Sequence, residues 1–98
     1  MNTSELRVWE VVVARDRGVC QWPGCTRRGA HVHHIIPRSH FGKRGHAVCW
    51  QAQNMVCLCV GHHEQAHTRA SRILLFGVLA SKHGYGYEGK PYSEYVSK

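Results

Sequence analysis

Between positions 57 and 67 stand five side chains that bind transition metals: Cys57, Cys59, His62, His63 and His67. A second group, His31, His33 and His34, lies upstream, with Asn54 between the two. Thiolate and neutral imidazole are the side chains that hold zinc and related ions best. The two groups supply enough ligands for two ions. Cys20 and Cys25 flank a Pro23-Gly24 turn, the arrangement of a zinc knuckle, and Cys59 and His62 stand three apart at an expected strand-to-helix turn. Together they form a closed Cys3His set, the composition of a structural Zn2+ site. Cys49 and Cys57 are left over and read as small buried hydrophobes.

The remaining imidazoles suit a second, open site. His63 and His67 are four apart, so on one continuous helix they would share a face, and His33 on a preceding strand would complete the group. Three protein ligands leave coordination positions for water and phosphate oxygens, as a catalytic divalent ion requires. Imidazole-rich sites accept several ions, so Mg2+, Mn2+, Ni2+ and Zn2+ are all candidates there. His34 projects from the opposite face of the strand and is free to take a proton. Its ordinary pKa near ~6.5 suits a general base at neutral pH.

These side chains need elements to position them. A helix over about 4–16 is expected, capped by Thr3 or Ser4 and carrying apolar positions Leu6, Trp9, Val12 and Val13. The knuckle follows. Residues 31–36 read as a strand ended by Pro37, residues 39–45 as a loop with two glycines, and residues 56–60 as a second strand with Cys57 and Cys59 on opposite faces. A helix begins at His62 or His63 and runs past His67 toward Arg69; residues 71–81 extend it or form a separate helix, with Gly77 against it. The glycine- and tyrosine-rich stretch after Gly84 favours no regular structure. The expected class is α+β: one domain over 1–98, with a core at about 16–68, a helix before it and an extension at 69–98.

Ninety-eight residues bury too small a fraction of their surface for packing alone, so an added staple is expected. Five cysteines, an odd number, with no apolar leader core in residues 1–10, point to thiols and a reducing, cytoplasmic setting. No stretch nears the ~18–20 apolar residues of a membrane span. Thirteen Lys and Arg against six Asp and Glu give a formal charge of +7, which favours a polyanion, with DNA first. Arg38, Lys43, Arg44, Arg69 and Arg72 are the candidate backbone contacts.

In order and spacing, His33-His34-Ile35-Ile36-Pro37, then Asn54-Met55-Val56-Cys57-Leu58-Cys59, then His62-His63 and His67 resemble the HNH endonucleases, with their ββα-metal core. Cys20 and Cys25 resemble the knuckle of that family's zinc-containing branch. The resemblance covers about 16–68, half the chain. It implies His34 as general base, His33 and His63 as ligands of the catalytic ion, and His67 as a further ligand or phosphate contact. Asn54 would hold the loop that orients the base. The family's acidic, glycine-rich stretch before the asparagine is replaced here by residues 46–53, so the loop's conformation does not transfer. The doubled His62-His63 allows an exchange of roles; His62 goes to zinc because it lies three after Cys59.

The resulting expectation is a metal-dependent DNA endonuclease leaving 5′-phosphate and 3′-hydroxyl ends, with phage genome packaging as one compatible setting. Two other readings use part of the same residues. A non-catalytic zinc-knuckle module needs only Cys20, Cys25, Cys59, His62 and the basic residues. An accessory subunit of a larger nuclease would dock through the apolar run 73–76 and the tyrosine-rich tail.

Overall fold

A computed structural model describes residues 1–40 and 49–85. Helix α1 (Thr3–Asp16) leads to the knuckle, then strand β1 (His31–His34), a 3-10 turn (Arg38–His40), a second 3-10 turn (Ala52–Asn54), strand β2 (Met55–Leu58), helix α2 (Val60–Gln65) and helix α3 (Arg69–His83). The expected loop at 39–45 and the tail lie mostly outside the described residues, as do Lys43 and Arg44.

Helix α1 is capped one residue before the expected position. Asn2 accepts from the Glu5 N–H at 2.8 Å while Glu5 accepts from the Asn2 N–H at 3.0 Å, a reciprocal box that satisfies two end donors. Val12 is fully buried and Val8 packs beside it, whereas Leu6 and Trp9, from the same apolar pattern, are 41% and 37% exposed. The helix ends at Arg17 and Gly18, both in the left-handed region.

The knuckle turn is a type II turn by its residues and backbone. Pro23 takes the second position, Gly24 the third with φ +80°, and the Cys25 N–H donates to the Trp22 carbonyl at 2.9 Å. Gly29 is required by crowding on the same side. A Cβ there would stand 2.8 Å from the Cys57 Cβ, with the Val19 and Cys20 backbone at 3.2 and 3.3 Å.

The two strands pair antiparallel, with His31 opposite Leu58, His33 opposite Val56 and His34 opposite Met55. β1 is two residues shorter than expected: beyond His34, Ile35 donates to the Asn54 carbonyl and Ile36 to the Asn54 side chain. β2 begins and ends earlier than expected, since Cys59 already serves as the N-cap of α2. All four β2 residues are buried because the sheet is covered on both faces. Val56 and Leu58 join Ile35, Ile36, Leu75, Phe76 and Leu79 on one side; Met55 and Cys57 meet Val12 on the other. Cys57 and Cys59 do fall into different clusters, but not through alternation, which places residues two apart on one face: Cys59 lies past the end of β2, where the chain has turned into α2.

The helix expected to carry both His63 and His67 is broken. α2 stops at Gln65, and Thr68 caps a new helix by accepting from the Ser71 N–H at 3.1 Å. His67 therefore sits in the connecting turn, not one helical turn after His63. Gly77 is accommodated within α3, whose Leu75, Phe76 and Leu79 supply much of the larger cluster. No helix among the described residues is long and apolar enough to cross a membrane.

Candidate metal centre and histidine cluster

The knuckle and the start of α2 bring Cys20, Cys25, Cys59 and His62 together, with one ligand atom of each within 4.8 Å of all the others. Among the described residues this is the only group of three or more His, Cys, Asp or Glu side chains to converge so closely. The His62 Nδ1 lies 3.3 Å from the Cys59 Sγ and 3.6 Å from the Cys20 Sγ. A nitrogen at ~2.05 Å and a sulfur at ~2.3 Å from a tetrahedral zinc stand about 3.6 Å apart. The spacing fits an ion such as zinc, and all five cysteines are free of disulfides. The five-residue step from Cys20 to Cys25 is therefore no obstacle. The type II turn folds the extra residues out of the way.

Local structure favours thiolate at Cys59, whose pKa is lowered chiefly by the His62 backbone N–H at the start of α2. The His62 ring is stacked on Trp22, centroids 4.8 Å apart and planes within 3°. Cys49 and Cys57 behave differently. Burial pushes both thiols up to about 11, so they stay protonated at neutral pH and pack as apolar groups.

A second gathering forms where β1 meets α2. The His33 ring lies edge-on to His63 and His67, at centroid distances of 5.1 and 5.4 Å, and those two rings are 5.6 Å apart. Their ligand atoms are less tightly drawn together than those of the Cys3His set. His33 is 4% exposed and its Nε2 is buried without a hydrogen-bond partner. Such an orphaned nitrogen costs about 1–3 kcal/mol unless something else engages it. Burial, then the neighbouring His63 and His67, lower its pKa to about 4, so its lone pair is available to a metal at neutral pH. Imidazole is the right kind of donor for a transition ion, but among the described residues these three do not converge as the Cys3His ligands do.

His31 is an addition that the ligand assignment lacked. It stacks on His63 with centroids 4.4 Å apart, on the same strand face as His33. The signal was present in the sequence, because residues two apart on a strand share a face.

His34 faces the other way. Its Nδ1 lies 3.0 Å from the Cys49 carbonyl oxygen, and its ring meets Trp50 edge-on at 4.7 Å. The Cys49 Sγ is 3.5 Å from the same nitrogen, but the carbonyl is closer and can only accept. Nδ1 therefore carries the proton and Nε2 the lone pair. Burial, and then the positive Arg38, lower the pKa of His34 against the opposing pull of the Cys49 carbonyl.

Asn54 is fully buried and supports this arrangement. Its Nδ2 donates to the carbonyls of Cys49 at 3.1 Å and Ile36 at 3.2 Å, and its Oδ1 accepts from the Ile36 N–H at 3.0 Å. The carbonyl that receives the His34 proton is thus itself held by Asn54.

Of the basic candidates, Arg38 lies over the Trp50 ring at 5.5 Å. Arg69 is exposed in the first turn of α3, and the Arg72 Nη2 reaches the His67 carbonyl at 3.5 Å while its Nε is buried without a partner. Sequence reasoning missed Trp22 and Trp50, whose roles depend on loop geometry. The Cys49 carbonyl carries no side-chain signal at all.

Comparison of the chain with protein-family models, with curated proteins and with solved structures gives no match.

Proposed function

We propose that the protein is a metal-dependent endonuclease of the HNH type, hydrolysing DNA phosphodiesters around His34. The observation that carries this reading is the pairing of two adjacent histidines in opposite chemical states of readiness. His34 has its Nδ1 against a backbone carbonyl that can only accept, and His33, whose ring is edge-on to those of His63 and His67, has a buried Nε2 without a hydrogen-bond partner.

His34 Nε2 takes a proton from water, the water oxygen bonds to phosphorus and the bond from phosphorus to the 3′-oxygen breaks; the departing 3′-oxyanion takes a proton from solvent and His34 returns its proton to solvent, leaving a 5′-phosphate and a 3′-hydroxyl. A divalent ion held by His33, His63 and His67 would polarise the phosphate and stabilise the leaving oxygen. Arg72, beside His67, and Arg38, beside Trp50, supply positive charge on either side. The first turn of α3 has no acidic residue, so Arg69 and Arg72 add to the positive end of the helix dipole. That is unfavourable for folding and favourable for binding a phosphate backbone. The Cys3His group acts as a structural zinc that fixes α2, and with it His63, against the knuckle.

A second reading, a zinc-stabilised nucleic-acid-binding module, is favoured by one observation: among the described residues, only the Cys3His ligands converge tightly. Nicking of supercoiled plasmid by zinc-loaded protein, scanned over Mg2+, Mn2+, Ni2+ and Zn2+ against a chelator, separates the two. Metal-dependent nicks that a ligase reseals support the endonuclease. A mobility shift without cleavage in any ion, with one bound zinc and no second site, supports the module.

A further inference from the structure

The His34 carbonyl partner is held by Asn54, and Asn54 is itself held from behind. The Arg15 guanidinium, near the end of α1, donates from Nη1 to the Ala52 carbonyl at 2.8 Å and from Nη2 to the Met55 carbonyl at 2.6 Å. Those two carbonyls bracket Asn54. The other edge of the same guanidinium is locked onto the buried Asp16, from Nε at 2.8 Å and Nη2 at 3.0 Å. Asp16 in turn accepts from the Cys57 backbone N–H at 2.9 Å. The side chain of Asp16 is fully buried and that of Arg15 nearly so.

We propose that Arg15 is a positioning residue for the candidate base: by gripping the backbone on both sides of Asn54, it fixes the amide that fixes the Cys49 carbonyl, and so the tautomer and aim of His34. The inference rests on the nuclease reading for its consequence but not for its structural content. Three observations join here. Arg15 lies 37 and 40 residues before the carbonyls it binds, so it ties α1 to the turn and strand around Asn54. Its planar fork spans two carbonyls and a carboxylate at once, which an ammonium cannot do. The Ala52 carbonyl also takes the Met55 N–H, so the turn that carries Asn54 is closed at both ends. Asp16 is the partner that keeps the fork in this orientation. Its own backbone carbonyl binds the Gln21 amide at 3.2 Å, linking the brace to the knuckle.

Two variants of the full, zinc-loaded chain test this. Arg15→Lys keeps a positive charge beside Asp16 and loses the fork. Arg15→Met combined with Asp16→Asn removes both charges, so that no unpaired carboxylate is left buried. The reading is the nitrogen spectrum of the His34 ring, which distinguishes a single Nδ1–H tautomer from a mixture, together with kcat and KM on a duplex substrate. The expected result is a mixed-tautomer His34 in both variants, with zinc content retained. A base displaced by about 1 Å loses on the order of 10²-fold in rate, so kcat falls while KM stays within about twofold, and Arg15→Lys falls less than the double variant. A merely structural residue would lower the melting temperature and leave the His34 spectrum unchanged, and that result overturns the proposal. If the double variant does not fold, Arg15→Lys decides alone by the same spectrum. If the wild type does not cleave DNA, the nuclease reading fails while the His34 spectrum still decides the role of Arg15.

Discussion

The Nδ1 of His34 and the carbonyl oxygen of Cys49 are 3.0 Å apart, and the same carbonyl accepts from the Asn54 amide at 3.1 Å. One backbone oxygen therefore sets the tautomer of the candidate base and is held in place by a buried side chain. On the proposed reading, catalysis and folding would share this atom.

Asn54→Ala should damage both. It removes the acceptor of the buried Ile36 N–H and the donor to two carbonyls, each orphaned group costing about 1–3 kcal/mol. The expected outcome is a lower melting temperature with retained zinc and a large loss of cleavage. An Asn54→Ala protein with wild-type stability and activity would remove the clamp from the account.

Cys59→Ser should abolish zinc binding and, with it, the fold. Structural zinc contributes apparent binding energy on the order of 10 kcal/mol, comparable to the whole stability of a small domain. Because the His62 ring stacks on Trp22, zinc removal by a strong chelator should change tryptophan emission, and a Trp22→Phe variant should lose most of that change. A folded, active Cys59→Ser protein contradicts the structural-zinc assignment. By contrast, Cys49→Ala and Cys57→Ala should leave zinc content unchanged, since both thiols are buried and protonated.

Gly29→Ala should destabilise by about 1–3 kcal/mol through overpacking against Cys57. The clash is 2.8 Å to a Cβ and includes backbone at 3.2 and 3.3 Å, so no side-chain rotation relieves it. Thermal melts of zinc-loaded protein check this, and an unchanged midpoint would mean that the knuckle sits farther from β2.

The pH dependence follows from burial. His34 has a lowered pKa, so the neutral, proton-accepting form persists as pH falls below the ordinary histidine value of about 6.5. His33, held to about 4, likewise stays neutral. Activity should be flat through neutral pH and decline only below that ordinary value, when protons reach the candidate base and the neighbouring histidines proposed to hold the ion. An acidic limb centred above pH 7 would show that His34 is not desolvated as described.

Much of this site was legible because alternation and short spacings act locally. Cys59 and His62 three apart, Cys20 and Cys25 around Pro23-Gly24, and His33 beside His34 on a strand all follow from chain geometry over a few residues. The helix break at residues 66–68 was not legible. Spacing four suited one helix, yet Thr68 offers a cap and Ser71 a part-buried bond to the Gln65 carbonyl, and these turn the chain so that α3 covers the sheet. Which members of the apolar pattern of α1 meet the core was not legible either: Val12 is buried while Leu6 and Trp9 stay exposed. The brace through Arg15 was invisible. Its partners are backbone carbonyls 37 and 40 residues away, which no side-chain pattern announces.

The central claim is that His34 removes a proton during DNA cleavage. The direct measurement is plasmid nicking by wild type and His34→Ala at equal zinc content and equal DNA affinity, in the divalent ion that supports the fastest wild-type reaction. The account predicts that wild type nicks only with added metal and that His34→Ala loses about 10²-fold or more of that rate while still binding DNA. A His34→Ala protein that nicks at near the wild-type rate would contradict it.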